Sequence, residues 1–112
     1  MCRIFSGLTP ETYSYQTRSV RLGGHATSIR LEGPFWSILE EIAADQGLSL
    51  GKFLSKLHDE VLESRGEAQN FTSLLRCACL TYLSEVKGVA ALRAGLRAEG
   101  YGRAAPVHAT VR

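Results

Sequence analysis

The stretch from His25 to Lys52, HATSIRLEGPFWSILEEIAADQGLSLGK, constrains this chain more than any other, because it compresses a strand, a helix and the start of a second helix into one short run. Thr27, Ile29 and Leu31 alternate with Ala26, Ser28 and Arg30, the period of two of a strand with one apolar and one polar face. Gly33-Pro34 then stops the strand, and the ring of Pro34 fixes φ for a first helical turn. Phe35, Ile38, Leu39, Ile42 and Ala43 follow at the spacing of an amphipathic helix. Gly47 is placed to end that helix and Ser49 to cap the next. A single short strand cannot satisfy its own backbone, and no second strand follows it here, so the pairing partner is expected from elsewhere. The economical partner is a second copy of the same strand.

This order of strand, proline-led helix, glycine turn and capped helix, with S-I-R-L feeding the first helix, resembles the ribbon-helix-helix family over about Thr27 to Leu62. The opening Met-Cys-Arg, Thr17-Arg18-Ser19 and the Asn70-Phe71 start of a third helix extend the resemblance, within an uncharacterised bacterial subfamily, down to about Ser84. It implies a mainly α fold with a short β ribbon: a homodimer with an intermolecular antiparallel strand pair, plus an added C-terminal helix. It also implies that the N-terminus of the second helix anchors a DNA backbone. The domain organisation expected is an arm over residues 1–17, a ribbon-helix-helix domain with its third helix over 18–86, and a weak helix with a basic tail over 87–112.

Composition narrows the class. The chain has 112 residues, 45% of them hydrophobic, without a low-complexity tract, which suits one small globular domain whose modest core a second copy would enlarge. No run approaches the ~20 apolar residues of a membrane span, and a cytoplasmic protein is expected. Three cysteines, none in a C-x-x-C pair, suit neither a disulfide framework nor a structural metal, and no cofactor is implied. Cys2 as a nucleophile would need a large layered α/β fold that this chain lacks. Gly47-x-x-x-Gly51-Lys52 is one residue short of a phosphate loop and continues into Phe53, so nucleotide binding is discarded. With no paired carboxylates, nucleophile-base pair or metal cluster in the sequence, an enzyme is not expected.

Net charge is +2, but its distribution is uneven. Residues 1–31 carry +3 (Arg3, Arg18, Arg21 and Arg30 against Glu11), residues 32–70 carry −5, and residues 71–112 carry +4. The strand end is therefore basic and the first helix acidic, the polarity of a ribbon that faces a polyanion.

Upstream, Arg18 to Leu31 contains a near repeat, S-V-R-L and S-I-R-L, separated by Gly23-Gly24, a strong two-residue hairpin turn. Pairing Leu22 with His25 sets Val20 against Thr27 and Ser19 against Ser28, with Arg21 and Arg30 on one polar face. Two such hairpins in a dimer would make four strands, the outer ones ~14 Å apart at ~4.8 Å per step, against a major groove ~12 Å wide. Either Arg18–Leu22 folds away from the ribbon, which is the favoured expectation, or the ribbon does not read bases in the usual way. Met1 to Thr17 shows no period and is expected to pack as an arm.

Downstream, Leu50, Phe53, Leu54, Leu57 and Val61 share one face of the second helix. Asn70 or Thr72 is placed to cap a third helix to about Val86 that is apolar nearly all round and hence expected to be largely buried, with Cys77 and Cys79 as small core residues. Val89 to Ala98 suggests a weak fourth helix and Tyr101 to Arg112 a flexible tail.

The function expected is that of a dimeric, sequence-specific DNA-binding transcriptional regulator. Ala26, Ser28 and Arg30 would face base edges, the Arg30 fork matching guanine O6 and N7. Arg18, Arg21, His25, Ser49 and Lys52 would contact phosphates. The partners implied are double-stranded DNA and a second subunit, with a higher oligomer conceivable through the third helix. The rival is a dimeric interaction module, antitoxin-like or for assembly, that docks a partner through its C-terminal helices.

Overall fold

In the computed structural model, which describes residues 2–88, the chain divides into two compact units, Met1–Leu75 and Arg76–Arg112. The suggested fourth helix and the tail lie outside the described residues. The first unit runs α1 (Cys2–Ser6), a 3-10 turn (Pro10–Tyr13), β1 (Tyr15–Leu22), β2 (His25–Glu32), α2 (Gly33–Asp45), α3 (Leu50–Arg65) and the start of α4 (Phe71–Thr81).

β1 and β2 form an antiparallel hairpin in the anticipated register, Leu22 opposite His25, Val20 opposite Thr27 and Ser19 opposite Ser28. Gly23 and Gly24 have φ of +60° and +84°. Positive φ at both central residues is the mirror-image turn whose twist matches paired strands, and glycine adopts it without steric cost. The expectation that Arg18–Leu22 folds away is thus corrected, as is the reading of β2 as a strand without a partner in its own chain. The strand also starts at Tyr15, so the supposed arm gives its last residues to the sheet. What remains of the arm does not pack into the core: no residue of α1 or the 3-10 turn is buried, and Ile4 and Phe5 are exposed.

Three ties fasten β1 and the residue before it to α2. The Gly33 N–H donates to the Ser14 carbonyl (3.3 Å), the Trp36 indole Nε1–H donates to the Gln16 carbonyl (2.9 Å), and the Arg18 guanidinium stacks over the Trp36 ring at 4.7 Å while bonding Glu40 at 2.8 Å. Trp36 is fully buried, with Leu39, Ile42 and Ala43. Phe35 and Ile38 are half-buried, so the buried stripe of α2 is rotated from the anticipated one. The reason is β1: it supplies the acceptor that lets an indole N–H go into the core without an unsatisfied donor. The rest of the core is Ile29 and Leu31 from β2, Phe53 and Leu54 from α3, and Leu75.

α2 ends as anticipated. Gly47 has φ +69°, its N–H bonds the Ala44 carbonyl, and the Leu48 N–H reaches back to Ala43, each at 2.9 Å. This pair of bonds satisfies two otherwise orphaned carbonyls and turns the chain into α3. Ser49 then caps α3, its hydroxyl accepting from the Lys52 N–H at 3.2 Å. Asn70 precedes α4 with φ +53°, a left-handed conformation that Asn tolerates, and His58 of α3 meets Phe71 edge to face at 5.1 Å.

In the second unit the helical path continues from α4 into a π-helical turn, Tyr82–Val86, closed by the Lys87 N–H on the Tyr82 carbonyl (3.0 Å). Cys79, Tyr82 and Ser84 are buried, but Cys77, Leu80 and Val86 are exposed. The expectation of a largely buried third helix is met on one side of the helix only, and Cys77 is not a core residue: two positions along a helix are about 200° apart, which turns Cys77 outward when Cys79 points in.

Candidate nucleic-acid interface

The hairpin sorts its side chains by strand alternation. One face carries Val20, Leu22, Ile29 and Leu31 and turns toward the helices, with Ile29 and Leu31 buried. The opposite face carries Tyr15, Thr17, Ser19 and Arg21 of β1 beside Glu32, Arg30, Ser28 and Ala26 of β2. Apart from Glu32, which is half-buried, every residue of this face is exposed. Ala26, Ser28 and Arg30 stand together there, and Arg21 joins them from the neighbouring strand.

Two arginines give this face its charge. The Arg30 guanidinium lies 4.3 Å over the ring of Tyr15, its diagonal neighbour on β1. Stacking on an aromatic fixes the plane of the fork and leaves its N–H edge available, so Tyr15 acts as a positioning residue for Arg30. Arg21 bends over the turn, Nη1 donating to the Gly24 carbonyl at 3.0 Å, and is exposed. The sequence reading missed Tyr15 because it assigned residues 1–17 to the arm. The signal was the alternation Tyr15, Thr17, Ser19, Arg21, which runs on from the S-V-R-L repeat.

Other anticipated contacts lie elsewhere. Arg18 is on the helix-facing side, half-buried, with its guanidinium committed to Glu40 and Trp36. It is a clamp between β1 and α2 and is not presented outward. His25 is exposed at the hairpin tip, in register with the helix-facing set. Ser49 and Lys52 stand exposed in the first turn of α3. There Gly51 leaves the backbone bare, with nothing within 4 Å of where a Cβ would sit. The Ser49 cap occupies one N–H of that turn, that of Lys52, while the hydroxyl keeps its own hydrogen to donate. A capped helix start with a bare glycine and an exposed lysine suits an anion.

Among the described residues no group of three or more His, Cys, Asp or Glu is arranged to hold a metal, and no helix is long and apolar enough to cross a membrane. Burial pushes the Cys79 thiol up to about 12, so at neutral pH it is protonated and a poor nucleophile.

No curated protein matches the chain. Among solved structures, the chain is similar to an uncharacterized protein from Bordetella pertussis Tohama I, at 52% identity and a TM-score of 0.70. The match covers 73% of this chain and 66% of that one, so the chain spans just under two thirds of its relative's length. The family model for the ribbon-helix-helix domain matches residues 15–83, from the first residue of the hairpin through α4 into the π-helical turn. On that match, the chain belongs to the ribbon-helix-helix family of DNA-binding proteins.

Proposed function

We propose that this protein is a cytoplasmic, homodimeric transcriptional regulator that binds duplex DNA through the outward face of its ribbon. The observation that carries this reading is the composition of that face: two exposed arginines on a bed of Ala, Ser and Thr, with one carboxylate at its end. The arginines supply phosphate attraction and a guanine-matching fork.

The outer edge of β2 supports dimerisation. Residues flanking a two-residue turn exchange both backbone bonds, so alternation turns the N–H and C=O groups of Ala26, Ser28 and Arg30 toward the other edge of β2. Among the described residues no strand occupies that edge. The same strand from a second subunit would satisfy it and place both copies of the basic face side by side. Arg30 is the base-reading residue, with Ala26 and Ser28 as its short neighbours on the same face. Arg21, Ser49 and Lys52 supply phosphate contacts.

Binding to the DNA upstream of the protein's own gene, measured by gel shift, tests this reading. Arg30→Ala should cost about 1–3 kcal/mol on the preferred site and flatten discrimination at one base position per half-site. Tyr15→Ala should act in the same direction but more weakly. Lys52→Ala should weaken specific and random DNA alike. Absence of affinity for any duplex at low ionic strength would replace the regulator by a module that docks a protein partner through its C-terminal helical segment, where Leu80 and Val86 are exposed.

A further inference from the structure

The hairpin raises a question of width that the proposed DNA-binding mode must answer. In a dimer joined through β2, the sheet has four strands in the order β1, β2, partner β2, partner β1. At ~4.8 Å per step the outer strands lie ~14 Å apart, about 7 Å either side of the dyad, whereas the rims of a major groove ~12 Å wide stand about 6 Å either side. A sheet of that width cannot sink between the rims. Nor is β1 placed to swing aside: Gly33 N–H to Ser14, Trp36 Nε1–H to Gln16, and Arg18 on both Trp36 and Glu40 hold it along its first half, and the glycine turn holds it at the other end.

We propose that β1 is itself part of the DNA interface, so that a four-stranded sheet lies across the major groove with each β1 above one phosphate rim. This inference rests on the regulator reading and specifies how the DNA is held. The outward side chains of β1 suit a rim. Thr17 and Ser19 are small hydroxyl donors, and Arg21 is an exposed cation at the end of the strand. With the sheet resting on the rims and a groove ~8.5 Å deep, the short side chains of Ala26 and Ser28 stop far from the base edges. Arg30, the longest side chain on β2 and stacked on Tyr15 of the rim strand, extends furthest toward them. Base reading then narrows to one residue per subunit. Most remaining sequence preference comes from how readily a site accepts a broad sheet, through groove width and bending.

The test uses the full-length protein and a duplex that the wild type binds. Ser19→Trp adds bulk at an exposed position of a strand that tolerates aromatics, so dimer mass and thermal midpoint should not change. Its affinity for DNA should fall by more than about tenfold, because the indole would prop the sheet off the rim. Arg21→Ala should reduce the slope of log K against log salt by about 2 for the dimer. Phosphate ethylation should interfere at both rims of the contacted groove. Ala26→Ser and Ser28→Ala should leave base discrimination nearly unchanged while Arg30→Ala removes it. If the wild type binds DNA but Ser19→Trp and Arg21→Ala bind like it, β1 lies outside the interface and the inference falls while the regulator reading stands. If the wild type binds no duplex, the regulator reading falls and takes this inference with it.

Discussion

Trp36 carries more of this structure than its place in the sequence announces. Its ring is fully buried, its indole N–H is satisfied by the Gln16 carbonyl, and its face supports the Arg18 guanidinium. The apolar pattern of α2 indicates a helix with an inward stripe, but indole burial depends on an acceptor in another element and cannot be seen from periodicity. Replacing Trp36 by Phe keeps an aromatic, loses the bond and leaves a partial cavity. The expected loss is about 2–4 kcal/mol of unfolding free energy, measured by urea denaturation. The neighbouring Arg18–Glu40 pair behaves differently: its side chains are 35% and 53% exposed, so Glu40→Ala should cost under about 1 kcal/mol. A Trp36→Phe protein as stable as the wild type would mean that the indole is not what joins hairpin to helix.

The elements divide into those written in local sequence and those decided by partners. The end of α2 is local: Gly47 sits at φ +69°, and the bonds around it close without help from the rest of the chain. Gly47→Ala puts a Cβ where space is open but the backbone conformation is strained, and should cost about 1–2 kcal/mol by thermal denaturation. An unchanged midpoint would contradict the left-handed turn. The β2-to-α3 order, the Ser49 cap and the hairpin register were legible because each depends on residues a few positions apart. The decision between hairpin and separate strands was not. Gly23-Gly24 and the matched faces favoured pairing, while the width of a major groove favoured separation. Pairing prevailed because backbone satisfaction, the Trp36 bond and the Arg18 clamp act in the folded chain, whereas fit to a groove acts only when DNA is bound. α4 shows the opposite limit. An apolar circumference states that cover is needed, not which residues receive it, and here Cys79 is covered while Cys77 and Leu80 are exposed.

At the scale of the whole molecule, the family match accounts for the order of elements from residue 15 to 83 and the hairpin adds a strand to the ribbon. Of the anticipated contacts, Ala26, Ser28, Arg30 and Arg21 converge on one exposed face, Ser49 and Lys52 stand at the start of α3, and Arg18 has become a clamp. In the proposed regulator, a dimer of this chain binds duplex DNA through phosphates held by Arg21 and Lys52 of each subunit and bases read by Arg30. The most direct test of this binding mode is fluorescence anisotropy of a labelled duplex across a salt series, on protein whose dimer mass is established by sedimentation. Four phosphate contacts at ~0.9 each predict a linear fall of log K with log salt of slope about −3.6, reduced by about 2 in Lys52→Ala. A folded monomer at micromolar concentration, or affinity that is absent or indifferent to salt, would contradict it.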